Sequence, residues 1–121
     1  IPVVTEVIKK KRYYLTKEGK KIKYIELKIF ENLPTIFGNH NNFSSLFNVL
    51  EKSNFNISRI KAFYYFDVGR WDIVLKDETT IKLPKDDYQD ILAKVDLILD
   101  NPSFVKYKIL DYRIKDQLIL Q

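Results

Sequence analysis

The 121-residue chain has no cysteine and no methionine, one histidine, three glycines and four prolines. Without a thiol there is no disulfide framework, no thiolate nucleophile and no cysteine-based metal centre. A lone histidine, His40, likewise excludes a Cys–His pair or a histidine-rich metal cluster. The missing cysteine says nothing about compartment, since such a chain folds equally well in reducing and oxidising surroundings. Gly19, Gly38 and Gly69 stand far apart, so no glycine-rich loop is present to cradle a phosphate. No apolar run approaches the roughly 18 residues needed to cross a bilayer, and no signal-peptide pattern opens the chain.

What is present is a globular balance. Hydrophobic residues make up 45% and charged residues 31%, which is too apolar for disorder and enough for one domain spanning 1–121 to bury a core without staples. The net charge of +5 suits an acidic partner or an anionic surface. The one dense basic run, Lys9-Lys10-Lys11-Arg12, reads as a solvated loop, and so does His40 among Asn39, Asn41 and Asn42. Asp67, Asp72, Asp77 and Asp111 fall at turns or on outward strand positions, where acids serve as turn residues or as partners for lysine. A paired-acid hydrolase would need two of them converging in a cleft.

Periodicity gives the elements. Residues 2–8 and 11–16 read as strands, 17–20 as a turn in which Gly19 supplies a positive φ, and 21–24 as a further strand. Proline and glycine punctuate 33–38, which reads as a loop. Polar 39–42 then caps a helix whose face is Phe43, Leu46, Phe47 and Leu50, ending at Ser53-Asn54. The aromatic and β-branched stretch 57–67 is a long strand. Residues 70–76 pair back on it, with Trp71, Ile73 and Leu75 on one face and Asp72 and Lys76 on the other, and 80–83 pairs again. Asp86 or Asp87 caps a second helix with Tyr88, Ile91, Leu92, Val95 and Leu99 inward, and early Asp86, Asp87 and Asp90 suit its dipole. Asn101-Pro102 stops it, and 104–112 with 117–121 form a closing hairpin around Lys115-Asp116. The expected class is α+β, a mostly antiparallel sheet with two packed helices.

Two features bear on binding. Phe63, Tyr64, Tyr65 and Phe66 would, with Lys9–Arg12, make a basic nucleic-acid module, the alternative function. In a strand, however, alternate rings fall on opposite faces, and packing accounts for them. The last strand, Gln117-Leu118-Ile119-Leu120-Gln121, is apolar and carries neither proline nor inward charge. Such a strand is either covered within the fold or open to a partner strand. A proline at Ile119 would remove one amide donor from it.

The chain resembles the extracytoplasmic β domain of the bacterial division protein FtsQ, called DivIB in other lineages. The resemblance rests on Gly69-Arg70-Trp71-Asp72-Ile73-Val74-Leu75-Lys76-Asp77, on Ile81-Lys82-Leu83-Pro84 and on Asp111-Tyr112-Arg113. It also rests on Pro2-Val3-Val4 followed by residues 13–19, and on Leu33-Pro34-Thr35-Ile36-Phe37-Gly38. Asp77-Glu78 stands where the family usually has Asp-Gly, and Tyr112 where it usually has leucine. The resemblance implies a curved sheet and a noncatalytic divisome scaffold with no cofactor, metal or nucleic acid. It implies a parent protein anchored in the inner membrane with this domain on the periplasmic side. A chain that opens at Ile1 fits the expectation of an excerpt lacking the membrane helix and the POTRA domain. The implied partners are the FtsB–FtsL pair, with a strand of FtsB adding to the last strand. By position, Arg113 would meet an acidic partner side chain, Ile114 and Asp116 would make edge-hairpin contacts, and Leu118, Ile119 and Leu120 would lie on the pairing strand.

Overall fold

In the computed structural model, which describes residues 1–8 and 10–121, the alternation read around Trp71 becomes the middle of one nine-stranded sheet. Lys9, in the basic run, lies outside the described residues. The strands are β1 (Val4–Ile8), β2 (Lys11–Leu15), β3 (Lys21–Lys23), β4 (Thr35–Phe37), β5 (Ile60–Phe66), β6 (Arg70–Leu75), β7 (Thr80–Lys82), β8 (Ile109–Asp111) and β9 (Ile119–Leu120). Their spatial order is β3-β2-β1-β4-β5-β6-β7-β8-β9, so β3 and β9 are the two edges. Helix α1 (Phe43–Ser53) links β4 to β5 and helix α2 (Gln89–Leu99) links β7 to β8. Both links join parallel neighbours, which cannot be connected by a tight hairpin. The class is α+β as expected: five neighbouring pairs are antiparallel and three are parallel.

Register explains the core. Ile36, Phe63, Ile73, Ile81 and Leu110 are successive partners across β4 to β8, and every one is buried. They share one hydrophobic cluster with Phe43, Leu46, Phe47 and Leu50 of α1 and with Leu92 and Val95 of α2. Trp71 packs edge-on to Phe43 and Phe63, with ring centroids 6.4 and 6.2 Å away. Each such side chain contributes about 1.5–3 kcal/mol by leaving water. The opposite face carries a second row of partners: Phe37, Tyr64, Asp72, Lys82, Asp111 and Ile119. At the far end of that face Tyr14 is buried beneath Tyr24 and Phe30, and its hydroxyl donates to the carbonyl of Ile25.

Several local expectations are corrected. The loop read over 33–38 contains β4, a central strand. Pro34 sits just before it, where its missing N–H costs nothing, and its carbonyl accepts from Thr5. The strand read over 57–67 starts with a 3-10 turn, Ile57–Arg59, because Asn56 accepts the Ser58 N–H. Neither Asp86 nor Asp87 caps α2: the cap position is Tyr88, with no side-chain cap bond, and Asp87 adopts φ +58°. The strand read over 104–112 shrinks to β8, because Asn101 and Pro102 fold Pro102–Phe104 into a 3-10 turn. The last strand is two residues long, not five. Lys11 and Arg12 of the basic run are exposed strand residues of β2 rather than a loop.

Gly38, immediately after β4, adopts φ +97°, and an added Cβ would lie 2.6 Å from the Tyr65 carbonyl oxygen. Gly19 also has positive φ, +82°, but its Cβ would meet nothing closer than 4.0 Å. Gly38→Ala therefore combines strain with a backbone clash and should destabilise the chain by about 3 kcal/mol, against about 1 kcal/mol for Gly19→Ala. Urea denaturation of the two variants measures the difference, and equal losses would contradict the contact at Gly38.

Candidate functional site

In an antiparallel pair, alternate residues turn their N–H and C=O toward the neighbour and away from it. At the C-terminal edge Ile109 and Gln121 exchange both bonds, Gln121 N–H to Ile109 at 3.0 Å and Ile109 N–H to Gln121 at 3.1 Å. Leu110 faces Leu120 and Asp111 faces Ile119. The alternation places the amide and carbonyl of Ile119 toward β8, and those of Leu120 away from it, on the open side of the sheet. Leu118 precedes it by the same period of two. Side chains follow the opposite rule: Leu118 and Leu120 pack against the core, whereas Ile119 continues the row through Asp111 on the other face. The proline probe read for Ile119 is thus corrected, because that amide serves the fold and the outward amide belongs to Leu120.

Beside this edge lies an ion pair. Asp111 is buried in the row between Lys82 and Ile119. Its Oδ1 accepts the Arg113 backbone N–H at 3.0 Å, and its two oxygens accept from the Arg113 guanidinium at 2.7–3.1 Å. The Arg113 side-chain hydrogen bonds hold the Asp111 carboxyl below its ordinary 3.8, against the opposing effect of burial. Two strands inward, Arg70 Nη1 makes a single contact with Oδ1 of buried Asp72. Asp72 and Asp111 were read as outward acids serving turns or lysines, and both instead pair with arginines two residues away, Arg70 on the same strand and Arg113 just beyond it.

The 112–118 segment that turns between β8 and β9 borders a groove of about 640 Å³. Pro84, Ile91, Tyr112 and Leu118 line it, with Asp86, Asp87 and Asp90 on the α2 side and Arg113, Lys115 and Asp116 on the other. Asp116 adopts φ +59° at the turn, Ile114 is half-exposed, and the Gln117 N–H donates to Ile114 at 3.1 Å. All six residues singled out in the sequence therefore gather around one sheet edge and its turn.

The chain matches the family described as Cell division protein FtsQ/DivIB, C-terminal, over residues 6–113. It belongs to the FtsQ/DivIB family. No match was found among curated proteins. FtsQ/DivIB proteins are noncatalytic division proteins, and among the described residues no helix is long and apolar enough to cross a membrane. The matched span ends at Arg113, so the FtsQ/DivIB assignment covers Asp111 and Arg113 but not the residues of β9.

Other candidates resolve into packing. Phe63 is buried, Tyr65 packs at a tilt against Trp71 with centroids 4.8 Å apart, and Tyr64 stacks on Phe37 at the same distance. His40 is not a free loop histidine: its Nδ1 lies 2.7 Å from the carboxylate of Glu6, which is wholly buried. Sequence alone gave no sign of that partner, since the two residues meet only when β4 pairs beside β1. Asp111 was missed as a site residue, although Arg113 follows it at a spacing of two, close enough for the pair to meet.

The Asp111–Arg113 pair has a testable pH signature. A carboxyl lowered in the folded state adds stability that is complete above its unfolded value, near 3.8, and is lost as pH falls through the lower folded value. The stability gap between the wild type and Asp111→Asn should therefore be constant from neutral pH to about pH 5 and shrink below that. Urea midpoints measured against pH check this, and a gap that persists unchanged in acid would rule the pair out as the source.

Proposed function

We propose that this chain is the docking domain of a membrane-anchored FtsQ/DivIB protein, on the periplasmic side of the inner membrane. It takes a strand of FtsB, presented by the FtsB–FtsL pair, at β9. The observation that carries this reading is the outward backbone of Leu120 on an edge strand without proline or charge. Recognition by strand addition draws affinity from main-chain hydrogen bonds and register from alternate side chains. That supports a binding site with no catalytic signature. The basic guanidinium of Arg113 and the half-exposed Ile114 stand beside that edge, where side chains of a bound strand would come within reach.

Calorimetry with an FtsB-derived peptide tests the reading. Leu120→Pro removes the outward donor and should weaken binding at least roughly tenfold, the worth of one or two main-chain bonds, while Leu120→Ala keeps the donor and loses less. Ile119→Pro should instead lower the unfolding midpoint, because its amide is spent on β8. Wild-type chain that fails to bind, or Leu120→Pro binding as the wild type does, would refute strand addition.

A further inference from the structure

Arg113 is 45% exposed, yet its orientation is not free. Its Nε donates to both oxygens of Asp111, at 2.9 and 3.1 Å, and Nη2 donates to Oδ2 at 2.7 Å. The side-on edge of the guanidinium is therefore occupied. The remaining edge, Nη1 with the second Nη2 hydrogen, has no partner among the described residues. Asp111 is itself enclosed: its side chain is 6% exposed, it sits between Lys82 and Ile119, and it also accepts the Arg113 backbone N–H. A long exposed arginine would otherwise sample many rotamers, and here one carboxylate removes most of that freedom.

We propose that Asp111 is a positioning residue: it fixes which edge of Arg113 a partner's carboxylate can meet, and so sets the register in which a guest strand is accepted at β9. This rests on the strand-addition reading above. Asp111 does not increase the positive charge at the site; it partly cancels it. What it supplies is direction, since a planar fork binds a carboxylate well in only one orientation. The Arg113 guanidinium is held at Asp111, which shares a sheet face with Ile119, and Arg113 itself enters the turn that leads to Gln117. An acidic guest side chain must lie on that face near the start of β9. Moved by one residue it points to the helix side, and moved by two it lies about 7 Å along the strand. Asp72, Lys82, Asp86, Asp87, Asp90, Lys115 and Asp116 are the other charges near Arg113 or its groove, and none of them hydrogen-bonds the guanidinium.

The test uses an FtsB-derived peptide with each acidic residue changed to glutamine in turn, titrated into three proteins. In the wild type one exchange should cost roughly tenfold in affinity and the others little, as a charge-assisted bond would require. In Asp111→Asn the exchanges should become nearly equal, while the retained Oδ1 still accepts the backbone N–H and keeps the turn. Arg113→Lys preserves the charge but not the fork, and with its fold checked by the urea midpoint it should lose the single-acid preference as well. A slowly exchanging Arg113 Nε–H resonance in the wild type, absent in Asp111→Asn, reports the lock directly. Retention of the same single-acid preference in Asp111→Asn, or in Arg113→Lys, would overturn the proposal. So would a wild type that binds without preferring any acid, which leaves strand addition standing. A wild type that binds no peptide removes strand addition, and this proposal with it.

Discussion

Period-two register across the middle of the sheet is the constraint on which the rest depends. Ile36, Phe63, Ile73, Ile81 and Leu110 line up across β4 to β8 and face the helices. A slip of one residue in any of those strands would turn its apolar set to the other side, so the core locks the pairing. The lock extends outward from the core. Once Leu110 is inward, Asp111 and Ile119 must share the opposite face, and the backbone of Leu120 must point away from β8. The chemistry of the edge is thus settled by packing several strands distant from it.

Much of this was legible in the chain. The Trp71 hairpin, both helical faces and the closing strand pair follow from alternation and the 3.6 period. Those signals report burial, and burial is what a sequence encodes most densely. Elements decided by non-local pairing were hidden. β4 is three residues between a proline and a glycine, and it is a strand only because β1 and β5 flank it. The same pairing brings His40 to Glu6 from distant positions. At the site, sequence led to Arg113 and the last strand, but the choice between Ile119 and Leu120 as outward donor needs the hydrogen-bond phase of β8. That phase is set by its parallel partner β7, where Tyr112 N–H bonds to Lys82.

The paired arginines make a connected point about the helix-free face. Asp72 and Asp111 are buried acids in one cross-strand row, separated by Lys82, and each is neutralised by an arginine on its own strand or just beyond it. Local pairing of this kind lets a sheet face stay polar without being sticky.

The two rims differ. β3 is only Lys21-Ile22-Lys23, exposed at all three residues, and faces Tyr13, Tyr14 and Leu15 of a strand that begins with Lys11 and Arg12. Ammonium groups along a short strand repel a copy of themselves and discourage pairing. A sheet that is charged at one end and apolar at the other has a polarity, like a connector with a single socket. The lysines of β3 make that rim a poor acceptor of a second strand, and the two ends of the sheet are not interchangeable.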